Sequence, residues 1–150
     1  MLEKPRILII DDNENMLETL CDILQEKGYQ TETAKTGQEA LVKAERKHFN
    51  VALIDIKLPD TTGIKILQTF RRRYPKRKNI IITAHATLKN TMDALNKGAN
   101  AYVVKPIDHD KLDLALKQCL EEQQNVEKAV SDIQRELSER QLIPRVYEQF

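Results

Sequence analysis

The chain has 150 residues, 41% of them hydrophobic, which suits one domain and argues against a two-domain enzyme. Its 24 Lys and Arg residues nearly balance its 23 Asp and Glu residues, so no overall field attracts nucleic acid or an anionic membrane. No apolar run approaches the roughly 20 residues of a membrane span, and the N-terminus lacks a signal peptide's apolar segment, so we expect a cytoplasmic protein with no membrane partner.

Five strand-like runs follow one another along the chain, at residues 7–10, 29–34, 51–54, 80–82 and 101–104. Four of them are nearly all apolar and rich in β-branched residues, which predicts strands buried on both faces. The run at 29–34 alternates instead, as a half-exposed edge strand does. Between the runs, apolar residues recur with a helical period, which gives the pattern βαβαβαβαβα.

Residues at the predicted helix ends are consistent with this order of strands and helices. Gly28 and Gly98 follow the first and fourth helices, where a left-handed residue is favoured, and Thr36 with Glu39 predicts a capping box for the second helix. Strict alternation of strand and helix requires right-handed crossovers and a parallel sheet covered on both faces. We therefore predict an α/β, doubly wound, five-stranded sheet of flavodoxin-like order 2-1-3-4-5, with ligands at the carboxyl ends of the central strands.

Polar residues stand at those strand ends. Asp11 and Asp12 follow the first strand, Asp55 the third, Thr83 the fourth and Lys105 the fifth. Each alone is readily explained as a cap or turn residue, but the topology brings all five to one crevice. Three carboxylates together favour a hard cation such as Mg²⁺, and the lysine supplies a positive charge for a phosphoryl group or a carboxylate.

Four segments carry a family resemblance. The acidic pair Asp11 and Asp12, residues 54–63 (IDIKLPDTTG), residues 82–85 (ITAH) and residues 98–106 (GANAYVVKP) occur in order. Together they resemble the receiver domain of two-component response regulators, over about residues 4–120. The resemblance implies a signalling switch rather than a turnover enzyme.

The resemblance also implies roles for the acidic residues. Asp55 would be the phosphoacceptor, taking a phosphoryl group from a sensor histidine kinase or a phosphotransfer protein. Asp11, Asp12, Asp55 and the backbone carbonyl of Lys57 would hold Mg²⁺, with Asp12 a direct ligand and Asp11 acting largely through water.

Further roles follow for the neighbouring positions. Lys105 and Thr83 would contact the phosphoryl group. Thr83 and Tyr102 would couple phosphorylation to the surface of the fourth helix, fifth strand and fifth helix. Lys57 and His85 stand where the family varies the lifetime of the acyl phosphate, and their bulk predicts slow attack by water.

Two other functions compete with the switch. A small Mg²⁺-dependent phosphatase or phosphotransferase would use a similar crevice, but it commonly has a second aspartate two residues after the nucleophile, where this chain has Lys57. A pure interaction module with a vestigial site is disfavoured by the complete set of site residues.

The remaining charged and titratable features favour surface roles. Residues 71–78 hold six basic side chains in eight positions, but such runs are usually solvated, and we do not expect this chain to contact nucleic acid. His48 and His109 stand at helix boundaries without metal-ligand neighbours. Cys21 and Cys119 lie far apart and are expected to be core thiols.

A receiver domain at 4–120 leaves residues 121–150 as a C-terminal helical extension, either a coiled coil or a linker to an effector missing from this chain. An apolar stripe with heptad spacing continues the fifth helix, which predicts an exposed seam and a homodimer. The expected arrangement is a short parallel pair, with Gln123 at an inward position that sets the register and with repulsion between Glu122 and Glu127 outweighed by burial. The stripe consists of Leu112, Leu116, Cys119, Gln123, Val126, Val130, Ile133 and Leu137. Its first members are expected to pack on the sheet, and its last four, from Val126 to Leu137, are expected to form the exposed seam.

Overall fold

The computed structural model describes residues 4–140 and shows one sheet of five parallel strands in the order β2-β1-β3-β4-β5. This confirms the predicted flavodoxin-like topology. The strands are β1 (Arg6–Ile10), β2 (Gln30–Ala34), β3 (Val51–Asp55), β4 (Lys78–Thr83) and β5 (Ala101–Val104). The helices are α1 (Glu14–Glu26), α2 (Gly37–Arg46), α3 (Gly63–Arg73), α4 (Leu88–Asn96) and α5 (His109–Glu139).

Two apolar layers hold the helices on the sheet. Successive side chains of a strand point to opposite faces, so Ile7 and Ile9 of β1 join one layer, while Leu8 and Ile10 join the other. The first of these layers includes residues of α1 and α5, and the second includes residues of α2, α3 and α4. The central strands are therefore buried on both faces, as their composition predicts.

Helix ends follow the expected chemistry with one difference. Gly28 and Gly98 have φ angles of +94° and +100°, in the left-handed region that glycine adopts without strain. Thr36 accepts a hydrogen bond from the backbone N–H of Glu39 at 3.0 Å and caps α2. The Glu39 carboxylate accepts from the N–H of Lys35, one residue before the N-cap, so the capping box is closed one position early.

The prediction for β5 is wrong in one respect. Its apolar composition indicated a strand buried on both faces, but β5 is the second edge of the sheet and pairs only with β4. Val103 is buried, whereas Tyr102 is partly buried and Val104 is 49% exposed. An edge strand and an internal strand of the same apolar composition cannot be distinguished by sequence pattern alone.

The fifth helix continues without a break past the predicted domain boundary at residue 120. Leu112, Leu116 and Cys119 are buried against the sheet. Beyond them the Gln123 side-chain amide donates to the carbonyls of Asn50 and Lys76, at 2.7 Å and 3.0 Å. Gln123 therefore ties the helix to two loops of the domain formed by the sheet, and its amide is not free to set the register of a coiled coil.

The exposed part of the helix matches the predicted seam. Val126, Val130 and Ile133 are exposed, and Leu137 is partly buried. Residues 141–150, which belong to the predicted extension, lie outside the described residues. Within residues 4–140, no helix is long and apolar enough to span a membrane.

Members of the basic run make structural contacts. The Arg77 guanidinium lies 3.9 Å from the centre of the Tyr74 ring and donates to the carbonyls of Ala44 and Lys47, at 3.0 Å and 3.4 Å. Lys78 forms an ion pair with Glu122 at 3.2 Å. Glu122 therefore has a partner within its own chain, which weakens the repulsion expected with Glu127 in a dimer.

The two cysteines are expected to differ in reactivity. Both are free thiols, Cys119 is buried and Cys21 is partly buried. Burial, together with the Glu122 charge, raises the pKa of the Cys119 thiol to about 11, and the thiolate is the reactive form. At pH 8, a maleimide should therefore modify Cys21 in the native protein and Cys119 only after denaturation. Intact mass reports the number of labels, and modification of Cys119 at the Cys21 rate would contradict this assignment.

Candidate functional site

The site begins with the neighbouring ends of β1 and β3. Ile10 pairs with Ile54, so Asp11 and Asp55, one residue further on, stand side by side. Helix α1 is capped by Asn13, whose side chain accepts from the N–H of Met16 at 3.1 Å. Because Asn13 supplies the cap, neither Asp11 nor Asp12 is needed for that structural role.

Three carboxylates meet at this point. Asp11, Asp12 and Asp55 each offer a carboxylate oxygen, and these atoms all lie within 4.8 Å of one another. Asp11 and Asp55 are buried, with 3% and 8% of their surface exposed, while Asp12 faces solvent. An all-oxygen set of this kind, open to water on one side, fits Mg²⁺, which retains several waters and binds proteins through one or two carboxylates.

Lys105 bridges the two buried carboxylates. Its ammonium lies 2.6 Å from Oδ2 of Asp11 and 3.1 Å from Oδ2 of Asp55. Burial opposes the charge of Lys105, but the hydrogen bonds and charges of the two aspartates outweigh it and raise the lysine pKa above its ordinary value. The lysine therefore stays cationic and supplies part of the positive charge that the clustered carboxylates require.

Asp55 is held in position by two donors. Its Oδ1 accepts from the N–H of Lys57 at 3.3 Å, and its Oδ2 accepts from Lys105. Burial raises the pKa of the Asp55 carboxyl, with a further increase from the Asp11 charge, although Lys105 and the Lys57 N–H oppose the shift. A buried carboxylate that is costly to keep charged is well suited to gain a cation.

The loop between β3 and α3 is ordered by a residue that sequence reasoning left unassigned. The Asp60 carboxylate accepts from the N–H groups of Gly37 and Gln38, at 2.8 Å and 2.9 Å, at the N-terminus of α2. These bonds lower the pKa of Asp60. Asp60 thus ties the loop that follows Asp55 to a neighbouring helix, and only the spatial proximity of α2 reveals this role.

Thr83 ends β4, and Tyr102 lies within the neighbouring strand β5, paired with Ile81. The Thr83 side chain is fully buried, and its oxygen accepts from the backbone N–H of His85 at 3.1 Å. The Tyr102 ring packs against the α2, α3 and α4 layer, and its hydroxyl oxygen is buried without a hydrogen-bond partner in the described part of the chain. A buried hydroxyl without a partner is costly for the folded state.

A crevice of about 320 Å³ opens above the carboxylates. Lys57 and His85 both line it and are both exposed, so the two positions predicted to tune lifetime border the site. Asn13, Pro59 and Ala84 also line the crevice but were not among the predicted site residues. His48 and His109 are exposed and lie outside this lining.

The chain matches one protein family and is similar to several known regulatory proteins. The family model described as the response regulator receiver domain matches residues 7–117. Regulatory protein AtoC of Escherichia coli is 35% identical over 133 residues, covering 89% of this chain and 29% of AtoC. The alginate biosynthesis transcriptional regulatory protein AlgB of Pseudomonas putida is 34% identical over 119 residues, covering 79% of this chain and 27% of AlgB. The chain thus spans less than a third of each of these relatives.

Two similar solved structures are also receiver domains. A CheY-like receiver domain protein from Methanospirillum hungatei superposes with a TM-score of 0.79 at 41% identity, covering 82% of this chain and 98% of that one. The beryllofluoride-activated receiver domain dimer of NtrC4 superposes with a TM-score of 0.75 at 33% identity, covering 79% of this chain and 98% of that one.

Proposed function

This chain belongs to the response regulator receiver family, and from that membership we propose that it is a switch in which Asp55 accepts a phosphoryl group from a phosphohistidine donor. The observation that carries the proposal is the position of Asp55. Its carboxylate ends β3 within 4.8 Å of those of Asp11 and Asp12 and 3.1 Å from the Lys105 ammonium.

The proposed step is an in-line phosphoryl transfer. An Asp55 carboxylate oxygen forms a bond to phosphorus, while the bond between phosphorus and the donor's imidazole nitrogen breaks and its electron pair stays on the imidazole. The product is an acyl phosphate on Asp55. Lys105 stabilises the charge on the phosphoryl oxygens. Mg²⁺, held by Asp11, Asp12, Asp55 and the Lys57 carbonyl, supplies the remaining positive charge when bound.

The phosphoryl state is proposed to reach the surface through Thr83 and Tyr102. New acceptor oxygens on Asp55 attract the Thr83 hydroxyl, which gives up its contact with the His85 N–H, and the Tyr102 ring moves into the space that opens. The affected surface comprises α4, β5 and α5, where Leu88 and Met92 are exposed. Lys57 and His85 shield the acyl phosphate from water.

The partners we propose are a sensor histidine kinase or phosphotransfer protein and a second copy of this chain. The copies associate through the seam formed by Val126, Val130, Ile133 and Leu137, which exposes apolar surface in a single chain. Residues 4–120 act as the receiver and residues 121–150 as the extension that joins two receivers or connects them to an effector. The cellular location consistent with these partners is the cytoplasm.

Phosphorylation by a small donor tests the proposal. Incubation with Mg²⁺ and acetyl phosphate should add one phosphoryl group to the intact mass, without turnover of unrelated phosphomonoesters. Rapid turnover of such esters would support the phosphatase alternative, which the family match does not support. The absence of both adduct and turnover would indicate an interaction module.

Removing Asp12 should weaken Mg²⁺ binding and phosphorylation together. Asp12 faces solvent beside the two buried aspartates, so Asp12→Ala removes a direct oxygen ligand and should lower Mg²⁺ affinity at least about tenfold. Calorimetric titration measures the affinity, and intact mass measures the adduct. Asp22→Asn, an exposed change on α1, is the matched control. Equal Mg²⁺ affinity in Asp12→Ala and the parent would rule out this ligand.

Charges placed in the seam should separate the dimer. Val130→Glu combined with Ile133→Glu puts two carboxylates on the surface that the second copy would bury, which opposes association by several kcal/mol. Lys128→Glu is the control, because residue 128 lies on the opposite side of the helix. Light scattering should show a monomer for the double variant and a dimer for the parent and control. A double variant that is as dimeric as the parent would show that another surface pairs.

A further inference from the structure

A cavity lies where α5 leaves the receiver. Its volume is about 560 Å³, and it opens between the helix and the loop that joins α3 to β4. Pro75 and Lys76 line the loop side, and Val126 and Val130, which are 58% and 48% exposed, line the helix side. The seam therefore begins directly beneath loops of its own receiver.

The seam shares a helix face with the residues that hold α5 to the sheet. Leu116 and Cys119 are buried on that face, and Gln123, at the next position of the same spacing, is bonded to Asn50 and Lys76. The helix is continuous from His109 to Glu139, so Val126 follows on the same side. Whatever covers the seam must therefore lie beside the part of α5 that extends past the receiver, on the same side of the helix as the receiver.

This placement opposes a parallel helix pair. A parallel partner resting on Val126 and Val130 would continue, toward its own N-terminus, into the space occupied by Pro75 and Lys76. The usual crossing angle of about 20° displaces one helix from another by only about 5 Å over 15 Å of length, which is too little to clear a receiver domain. A partner that runs in the opposite direction has its receiver beyond the far end of the seam, so it brings its last helical turn, rather than a receiver domain, beside Pro75 and Lys76.

We propose that two copies of this chain pair through antiparallel α5 helices, with the C-terminal turn of each helix seated in the cavity of the other. This inference rests on the homodimer proposed above and specifies its geometry. In this arrangement Val126 of one copy faces Leu137 of the other, and Val130 faces Ile133. The two-fold axis passes between Ser131 and Asp132, so all four seam residues of each copy are covered.

The cavity is lined by two cationic side chains, Lys76 and Lys78, and by two carboxylates, Glu122 and Glu127, of which Glu122 is paired with Lys78. The end of a helix carries partial negative charge, whereas the Glu139 side chain lies on the same face as Lys128, away from the cavity. Lys76 is exposed at the cavity, and no acidic group within residues 4–140 is paired with it. The antiparallel arrangement also separates Glu122 of one copy from Glu127 of the other, which a parallel pair would bring together.

Contact area favours the same arrangement. Stable dimers usually bury about 800 Å² on each partner, and four apolar side chains alone supply only part of that. Seating each helix end in the opposite cavity adds the walls around Pro75 and Lys76 to the interface on both copies. The cavity and the seam then form one continuous surface on each copy. The two-fold symmetry places this surface of one copy against the same surface of the other.

Disulfide cross-linking distinguishes the two arrangements. Val126→Cys and Leu137→Cys would be made separately in a Cys21→Ser background, with the buried Cys119 left in place. Each variant would be oxidised mildly, alone and mixed with the other, and covalent dimers would be identified by intact mass. In the antiparallel pair the two copies of residue 126 are about 16 Å apart along the helix, beyond the reach of a disulfide.

The mixture should give a covalent heterodimer, and neither variant alone should give a homodimer. Homodimers from each variant alone would overturn the proposal in favour of a parallel pair. If no cross-link formed and light scattering showed a monomer, the proposal would be overturned, because two copies of the chain would not pair through this surface. Adduct formation with acetyl phosphate in the same variants reports the switch independently, so failure of the dimer geometry is separable from failure of the phosphoacceptor assignment.

Discussion

Asp55→Asn is expected to abolish phospho-adduct formation from acetyl phosphate while leaving the fold intact. The amide keeps the shape of the side chain but is not a nucleophile, so the rate of transfer should fall below detection. Lys105 keeps its partner Asp11 at 2.6 Å, and the substitution removes a carboxylate whose charge burial disfavours. The free energy of unfolding should therefore change by no more than about 1 kcal/mol.

Two measurements decide this prediction. Intact mass after incubation with Mg²⁺ and acetyl phosphate reports the adduct, and urea denaturation reports stability. Asp22→Asn makes the same chemical change on the exposed face of α1 and should be phosphorylated like the parent. An adduct in Asp55→Asn equal to that of the parent would falsify the nucleophile assignment, whereas loss of both adduct and fold would point to a structural role for Asp55.

Gly63→Ala is expected to be the most destabilising of the small substitutions near the site. A Cβ atom at Gly63 would stand 2.0 Å from the backbone oxygen of Asp55, which a side-chain rotation cannot relieve. The Gly63 N–H also donates to the Ile56 carbonyl at 2.7 Å, so the start of α3 cannot withdraw without losing that bond. We expect a loss of about 3 kcal/mol or more, equivalent to roughly 10 °C in Tm.

Gly28→Ala is the comparison for this substitution. At Gly28 a Cβ would meet nothing within 4 Å, but the φ of +94° is strained for alanine. The expected cost is only about 1 kcal/mol. Thermal denaturation followed by circular dichroism ranks the two variants. If Gly63→Ala were no less stable than Gly28→Ala, the close approach of α3 to Asp55 would be contradicted.

The sheet and the strand-end residues could be predicted because both depend on local pattern and on topology. Alternating strands and helices fix a parallel sheet, and a parallel sheet places Asp11 and Asp55 together. The role of Asp60 could not be predicted, because its partners Gly37 and Gln38 are more than twenty residues away. Asn13 directly follows the acidic pair, but its role in capping α1 did not mark it as part of the crevice lining.

The C-terminal extension shows more clearly what the spacing of apolar residues can and cannot predict. Heptad spacing correctly places Val126, Val130 and Ile133 on one exposed seam. Periodicity alone does not show which body lies on that side of the helix. The contacts of Gln123 with Asn50 and Lys76 show that this body is the chain's own receiver, and it is this observation that changes the expected direction of helix pairing.

The position of the phosphoryl group in the modified protein is the most direct test of Asp55 as the phosphoacceptor. The protein, phosphorylated with acetyl phosphate and Mg²⁺, would be reduced with borohydride, which converts an acyl phosphate on aspartate to homoserine. Tandem mass spectrometry of the peptide that contains the end of β3 would then locate the homoserine. We expect homoserine at position 55 alone; homoserine at position 11 or 12, or unmodified Asp55 in protein that carries the adduct, would contradict the assignment of Asp55.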